Sequence, residues 1–371
     1  MKFTSNSIEL QRTLNKLGGV IPTKSTMPIL ENILFSLAGD VLTLTATDLA
    51  ISLTVSLPVK GVEDGSVAIP AKRLMDTIRS LPDTSAAFSI DTTSNKIRIT
   101  TENGEYGLTG EAAKEFPAVA SFKPTSEIKL DNAILRRMIY RTTFAVSTDE
   151  LRPAMMGVLF QAKESSLRAV ATDGHRLVRL GQALSQPAGL KKDIIVPAKA
   201  LHALSKSLEE GECTLSADDT HIRFSFGTSV LVSRLIDETY PNYESVIPAD
   251  NNKMLTVKRE DTIASIRRVA LYASVTTRQI RFDIDKTTLR ITAQDIDFGG
   301  EAKETIPCVY SGDTLEIGFN SNYLLDILSH LDSDEVMFRF SSPTRAGIVA
   351  PAGDARTEDI VMLVMPVRLN N

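Results

Sequence analysis

Apolar positions along this chain follow one pattern that is written three times. Ile8, Leu10, Leu14 and Leu17 recur at helical spacing after Ser5 or Asn6. Ile134, Leu135, Met138 and Ile139 do so after Asp131, and Ile263, Ile266, Val269 and Ala270 do so in a third place. Residues three and four apart share a helix face, so each set predicts an amphipathic helix with one buried stripe. Asn6 or Ser5, and Asp131, are N-cap residues whose side-chain oxygens take up amides of the first turn. A strand follows each helix, at 29–37, 156–163 and 279–284, and then a second strand that ends on aspartate. The return strand at 51–57 alternates apolar and polar residues, which gives one buried and one wet face. A second helix follows at 71–81, 198–208 and 321–331, and three or four short strands close the copy, as at 86–90, 96–101 and 105–108. Each copy is thus two helices on seven or eight antiparallel strands, an α+β arrangement.

Three markers keep the beat. Asp48, Asp173 and Asp295 end the second strands; Pro117, Pro241 and Pro366 each follow a large apolar or aromatic residue; Pro70, Pro197 and Asn320 precede the second helices. The step is about 125 residues, too long for a solenoid unit of about 20–50 residues and the size of a whole small domain. The chain reads as three tandem domains, at 1–124, 125–250 and 251–371, joined by short polar linkers near Pro124 and Asn251. A tandem array of equal domains suggests a curved or closed object.

Composition bounds the rest. The 371 residues are too many for one ordinary core, and 43% hydrophobic content is that of a globular protein. Lys and Arg number 41 against 46 Asp and Glu, a net charge of −5, so nothing global announces nucleic acid. The N-terminus has no apolar core of a signal peptide, and the longest apolar run, 360–365, is far short of the roughly 20 residues that span a bilayer. A cytoplasmic protein without a membrane partner is expected. Cys213 and Cys308 lie in strand-like sequence with no ligand near them and read as reduced, buried thiols.

Charge is not spread evenly. Arg12 and Lys16 lie on the first helix, Lys72, Arg73 and Arg79 on the second, Arg136, Arg137 and Arg141 on the third, and Lys199 and Lys206 on the fourth. Acidic pairs collect elsewhere, at Glu63–Asp64, Glu209–Glu210, Asp218–Asp219 and Glu358–Asp359. Two readings stand: a basic helical surface suited to phosphate backbones, and ordinary solvated helix faces, which charge alone favours. The third copy, with Glu260, Asp261, Asp326 and Asp332 on its helices, adds nothing to the first reading.

Catalytic chemistry is missing. His175, His202, His221 and His330 do not pair at metal-ligand spacing, and there is no Gly-rich phosphate loop, nucleophile elbow or zinc-protease motif. Asp173 and His175 are close enough to suggest an acid–base pair. Asp48 and Asp295 hold the same repeat position without a histidine, which favours a turn role for the aspartate. No catalytic residue, metal or cofactor is expected.

Over its whole length the chain resembles the bacterial DNA polymerase III β subunit, the β sliding clamp. The most specific pieces are 171–177, with Thr172, Asp173, Gly174, His175, Arg176 and Leu177, and the C-terminal 364–369; Pro241 to Tyr243, Val246 to Pro248, and Gly318 to Asn320 with Tyr323 also fit. The resemblance implies a head-to-tail homodimer closing as a ring of six similar domains, helices lining the hole. It implies a replication protein without catalysis of its own, which encircles double-stranded DNA without reading sequence and tethers the polymerase for processivity. Implied partners are the replicative polymerase α subunit, the clamp loader δ subunit, other polymerases and mismatch-repair proteins, through short peptide motifs.

Sites carry over position by position. The implied peptide groove takes Met155, Thr172, Gly174, His175, Arg176, Leu177, Pro241, Val246, Asn320, Tyr323, Val364, Met365, Pro366, Val367 and Arg368. Met155 stands where a leucine is frequent, and the segment 149–154 has no Gln or Tyr where some members do. Lys24, Arg73 and Lys199 match positions of DNA contact, and Arg137, Arg141 and Lys206 join them from the basic helices. The dimer seam is expected to pair the edge segment 105–108, with Tyr106 and Leu108, against the strand holding Glu301 and Glu304, with Ile78, Leu81, Leu271 and Tyr272 as apolar contacts. Two rivals remain: a scaffold that binds only proteins, and an enzyme using Asp173 and His175.

Overall fold

The computed structural model describes residues 1–120, 123–163, 165–184, 189–190, 192–353 and 359–369. Glu358 of the fourth acidic pair lies outside the described residues. Six α-helices are present among them: α1 Ser7–Leu17, α2 Ala71–Ser80, α3 Asn132–Thr143, α4 Ala198–Ser207, α5 Arg259–Val269 and α6 Ser321–Ser329. Local chemistry starts the first helix of each of the first two copies. The Asn6 side chain accepts from the amides of Ile8 and Glu9 at 2.9 and 3.2 Å, and Asp131 accepts from Ala133 at 2.7 Å. Where strands were expected from 29 and 156, short 3-10 turns come first, Pro28–Glu31 and Pro153–Met156. The strands begin at Asn32 and Gly157, because each proline opens a turn of its own. No helix among the described residues is long and apolar enough to cross a membrane.

The strands form antiparallel sheets that run across the copies. In a five-stranded sheet the order is Lys60–Glu63, Lys2–Asn6, Ser85–Asp91, Lys96–Thr100, Glu105–Thr109, all from the N-terminal copy. A nine-stranded sheet joins Ile51–Pro58 of the N-terminal copy to Ser229–Arg234 of the central copy, with Leu53 opposite Leu231. A second nine-stranded sheet joins Arg176–Ala183 of the central copy to Asp359–Val364 of the C-terminal copy, with Leu177 opposite Leu363. A four-stranded sheet, ordered Gly300–Pro307, Thr288–Asp295, Gln279–Ile284, Leu315–Asn320, belongs to the C-terminal copy alone.

Compactness follows the sheets and not the repeats. One compact unit holds Met1–Ile139, Gly189–Lys192 and Val196–Ile236; the other holds Tyr140–Ala188, Asp193–Ile195 and Asp237–Asn371. The central copy is therefore divided between them, since a backbone ladder holds strands from different copies as firmly as strands from one. In the first unit Phe3, Phe35 and Phe88 stack in the core, the Phe3 and Phe88 rings 4.6 Å apart. In the second, Phe338 and Phe340 stack, and Phe282 meets Phe319 and Phe338 edge to face.

Candidate functional site

The repeated aspartate is a turn residue in all three copies. Asp173 Oδ1 accepts from the amides of His175 and Arg176 at 2.8 and 2.9 Å. Asp48 Oδ1 accepts from Ala50 and Ile51 at 3.0 and 2.7 Å, and Asp295 Oδ1 from Asp297 and Phe298 at 3.1 and 3.3 Å. In the first two copies a threonine hydroxyl completes the turn. Thr172 Oγ1 donates to the Arg176 carbonyl at 2.7 Å, and Thr47 Oγ1 to the Ile51 carbonyl at 2.9 Å. One oxygen of each carboxylate, Oδ1, is thus committed to backbone, as the repeat predicts.

Beside the Asp173 turn, within the second unit, lies a groove of about 610 Å³. Met155, Thr172, Gly174, Arg176, Leu177, Pro241, Val246 and Met365 line it, as expected from the sequence. Its apolar floor comes from two adjacent strands and from the 3-10 turn Pro153–Met156; Val246 and Met365 stand exposed at its edge. Gly174 has φ +89°, and a Cβ there would lie 3.2 Å from the Arg152 guanidinium, so this turn needs glycine.

Arg176 organises one wall. Its side chain is only 11% exposed, and Asp173 at 3.1 Å and Asp326 hold it as an ion pair on two sides. The guanidinium lies 5.0 Å from the centre of the Tyr323 ring and 5.3 Å from that of Phe144. His175 stacks on Tyr323 at 5.6 Å. Burial raises the Tyr323 hydroxyl above its ordinary pKa, with the Asp173 charge acting in the same direction.

His175 and Tyr323 stand behind Arg176 and do not line the groove itself, and the remaining expected residues also support it from outside. Asn320 caps α6 by accepting from the Asn322 amide at 3.0 Å. Val364 is fully buried and pairs with Arg176 in the sheet, so it backs the groove and does not line it. The Val367 amide donates to the Gly318 carbonyl at 2.9 Å, which ties down the C-terminal segment, while Pro366 is half-buried and Arg368 exposed beside it. Missed from the sequence were Asn242, Tyr243, Ile247, Pro248, Asp250, Arg345 and Leu363, all of which line the groove. Ile247 and Pro248 continue the Val246 run and carried a signal. Arg345 and Asp250, paired with each other, carried none because they lie 95 residues apart.

The basic residues meet mixed fates. In the first unit α1 packs against both α2 and α4, and a Cβ on Gly19 would lie 3.4 Å from the Ala203 Cα. Lys24, Arg73 and Lys206 are exposed, with no carboxylate partner among the described residues, and Arg137 is exposed on α3. Lys199 is exposed and ion-paired with Asp48. Arg141 corrects the sequence reading: it is 3% exposed, pairs with Asp332 and donates to the His330 carbonyl, so its charge is spent inside the protein.

The expected seam divides in the same way. Glu105–Thr109 and Gly300–Pro307 are each the terminal strand of a sheet, with one backbone edge unpaired among the described residues. Tyr106, Leu271, Tyr272 and Glu301 are exposed, Leu271 at 81%. Ile78, Leu81 and Leu108 are buried in the protomer's own core, Ile78 at 1%, because Ala71, Leu74 and Ile78 form the inward stripe of α2. Glu304 holds Arg268 with two hydrogen bonds of 2.6 and 2.7 Å, which lowers its carboxyl pKa. Ile296 and Phe298, at the turn before the edge strand, are exposed and were not foreseen.

Among the described residues no three His, Cys, Asp or Glu side chains are placed to hold a metal. Cys213 is buried, which pushes its thiol up to about 12. Cys308 is only half-buried, contrary to expectation, because its strand-end position leaves it near the surface.

Models of the three DNA polymerase III beta subunit domains match the chain in order: the N-terminal domain at residues 1–120, the central domain at 129–242 and the C-terminal domain at 244–368. The chain is 32% identical to the beta sliding clamp of Pseudomonas aeruginosa over 372 residues and 31% identical to that of Vibrio cholerae, covering 100% of both chains in each case. Among solved structures, the sliding clamps of Bartonella birtlesii and Pseudomonas aeruginosa, both bound to griselimycin, superpose with TM-scores of 0.94 and 0.93 at 31% identity, with 100% coverage of both chains. The chain therefore belongs to the DNA polymerase III beta subunit family: it is a DNA sliding clamp of replication, built from three tandem clamp domains, and a processivity factor, not a catalytic enzyme.

Proposed function

We propose that two copies join head to tail into a ring around duplex DNA, each contributing three domains at 1–124, 125–250 and 251–371. What carries this reading is that two of the terminal strands, Glu105–Thr109 in the first copy and Gly300–Pro307 in the last, each have one edge unpaired among the described residues. An unpaired strand edge is a template for another chain, and joining one copy's first edge to its partner's second leaves neither open. Tyr106, Leu271, Tyr272 and Glu301 flank these edges and meet across the seam. Lys24, Arg73, Arg137, Lys199 and Lys206 face phosphates without reading bases. The ring holds DNA topologically, so each contact stays weak, and the protein works in the cytoplasm at replication forks.

The groove beside Asp173 takes short apolar peptide segments of the polymerase, the clamp loader and repair proteins, which compete for it. Its apolar floor and the single buried cation at its wall support this. Griselimycin, present in two related clamps, is the natural probe, and a Val246→Asp variant is expected to lose it.

The test of the ring uses a nicked circular plasmid loaded with a cognate clamp loader and ATP. Retention through high salt, with release when the plasmid is cut, is the expected result. Stripping by salt from circular and linear DNA alike would overturn the ring and favour a scaffold that binds only proteins.

A further inference from the structure

We propose that Asp48 masks the Lys199 ammonium and so sets how weakly this surface holds DNA, an inference that rests on the clamp reading. The Asp48 carboxylate divides its oxygens between two tasks. Oδ1 holds the turn through the amides of Ala50 and Ile51. Oδ2 accepts from Lys199 Nζ on the first turn of α4. The Asp48 side chain is largely buried while that of Lys199 is 57% exposed, so the ammonium faces solvent with its counter-charge already attached.

That counter-charge is fixed in place. Thr47 Oγ1 donates to the Ile51 carbonyl and accepts from the Leu49 amide at 3.0 Å. Leu49 is held at φ +75°, a conformation that leucine adopts only when its surroundings over-determine it. The turn therefore presents the carboxylate at one position and does not let it swing away.

The second copy shows the same division put to another use. Asp173 Oδ1 holds its turn, and Oδ2 accepts from Arg176 Nε at 3.1 Å. Arg176 is buried, and a buried cation needs an anion. Lys199 is exposed and has no such need, since an exposed ion pair adds little to the stability of a fold. Its pairing instead lowers the charge offered to a phosphate. Lys16 on α1 is the opposite case, only 17% exposed and paired at 2.8 Å with the exposed Glu209, whereas Lys24, Arg73 and Lys206 have no carboxylate partner among the described residues. A bare cation captures a phosphate outright. A paired one must first release its carboxylate, so it holds each phosphate less and passes to the next sooner, which is what a sliding contact requires.

Asp48→Asn keeps the Oδ1 acceptor, and with it the turn, but discards the charge. Binding of the full-length protein to a linear mixed-sequence DNA duplex is measured across a fourfold range of salt, together with its diffusion along DNA after loading. Unmasking one cation is expected to steepen the log–log salt slope by about one unit, roughly a three- to fourfold change over that range, and to slow diffusion. Adding Lys199→Ala to Asp48→Asn removes the gained unit of slope, and Lys199→Ala alone lowers the wild-type slope by well under a unit. An unchanged slope in Asp48→Asn at a wild-type melting temperature overturns the proposal. So does a full unit of slope lost in Lys199→Ala alone, a result that does not depend on how Asp48→Asn folds. Failure of the clamp reading would look different, as loss of wild-type retention on circular DNA.

Discussion

The Arg176 guanidinium lies over the Tyr323 ring at 5.0 Å, and His175 stacks on the same ring at 5.6 Å. Beyond Arg176 the stack continues through Phe144, at 5.3 Å, to His330, whose ring is 4.0 Å from Phe144 and 4.4 Å from Tyr140. A cation gripped by rings and by Asp173 and Asp326 loses little freedom when a ligand arrives, so the groove wall is set in advance.

Replacing Arg176 should therefore cost binding more than its size suggests. Arg176→Ala leaves two carboxylates without their cation beside an apolar groove and is expected to weaken peptide or griselimycin binding at least tenfold. Arg176→Lys should not restore it, because an ammonium cannot both fork between two carboxylates and lie flat between rings. Fluorescence anisotropy would decide it, and full binding by the lysine variant would show that only charge matters.

The two turns make opposite demands on residue type. Gly174→Ala forces a side chain to φ +89° against Arg152 and is expected to cost about 1–2 kcal/mol in urea unfolding. Leu49 already bears that strain at φ +75° with its side chain exposed, so Leu49→Gly should be neutral or stabilising. A clear loss of stability in Leu49→Gly would show that the leucine makes a contact worth more than the strain.

His330 should give the fold a pH dependence near neutrality. Burial lowers its pKa, and Arg141 and Arg176 push it the same way, against the Asp326 carbonyl and charge. The folded form therefore binds a proton less readily than the unfolded chain. The sign follows: His330 costs nothing above the ordinary histidine pKa of about 6.5, and stability falls as pH drops below it. His330→Phe keeps the stack and removes the proton site, so its melting temperature should vary less between pH 7 and 5.5 than that of wild type. Equal slopes would remove His330 from the account.

Ile78 and Leu271 separate folding from assembly. Ile78→Ala opens a cavity in the first unit and should cost about 2–5 kcal/mol of stability. Leu271→Asp touches no core and should leave the melting temperature alone while shifting sedimentation from dimer toward monomer. A fully dimeric Leu271→Asp protein would move the seam away from this edge.

Much of this could be read from local pattern. Helix starts at Asn6 and Asp131 follow from capping chemistry within three residues, and the repeated aspartate is a turn residue because its partners are the next amides along the chain. The inward place of Ile78 was legible too, since Ala71, Leu74 and Ile78 fall on one helical stripe, but resemblance pointed outward. Arg141 was not legible: only the meeting of α3 with the end of α6 brings Asp332 and the His330 carbonyl to it.

The sequence by itself determined the three copies, their helices and strands and the turn at each aspartate. These depend on contacts a few residues apart, or on patterns that periodicity and repetition expose. The tertiary structure decided which sheets run across copies, which cations are free and which are spent on Asp48, Asp332 or Asp326, and which apolar residues face out. Those outcomes depend on partners distant in the chain, where a charge or a methyl group carries no mark of what the fold will place beside it.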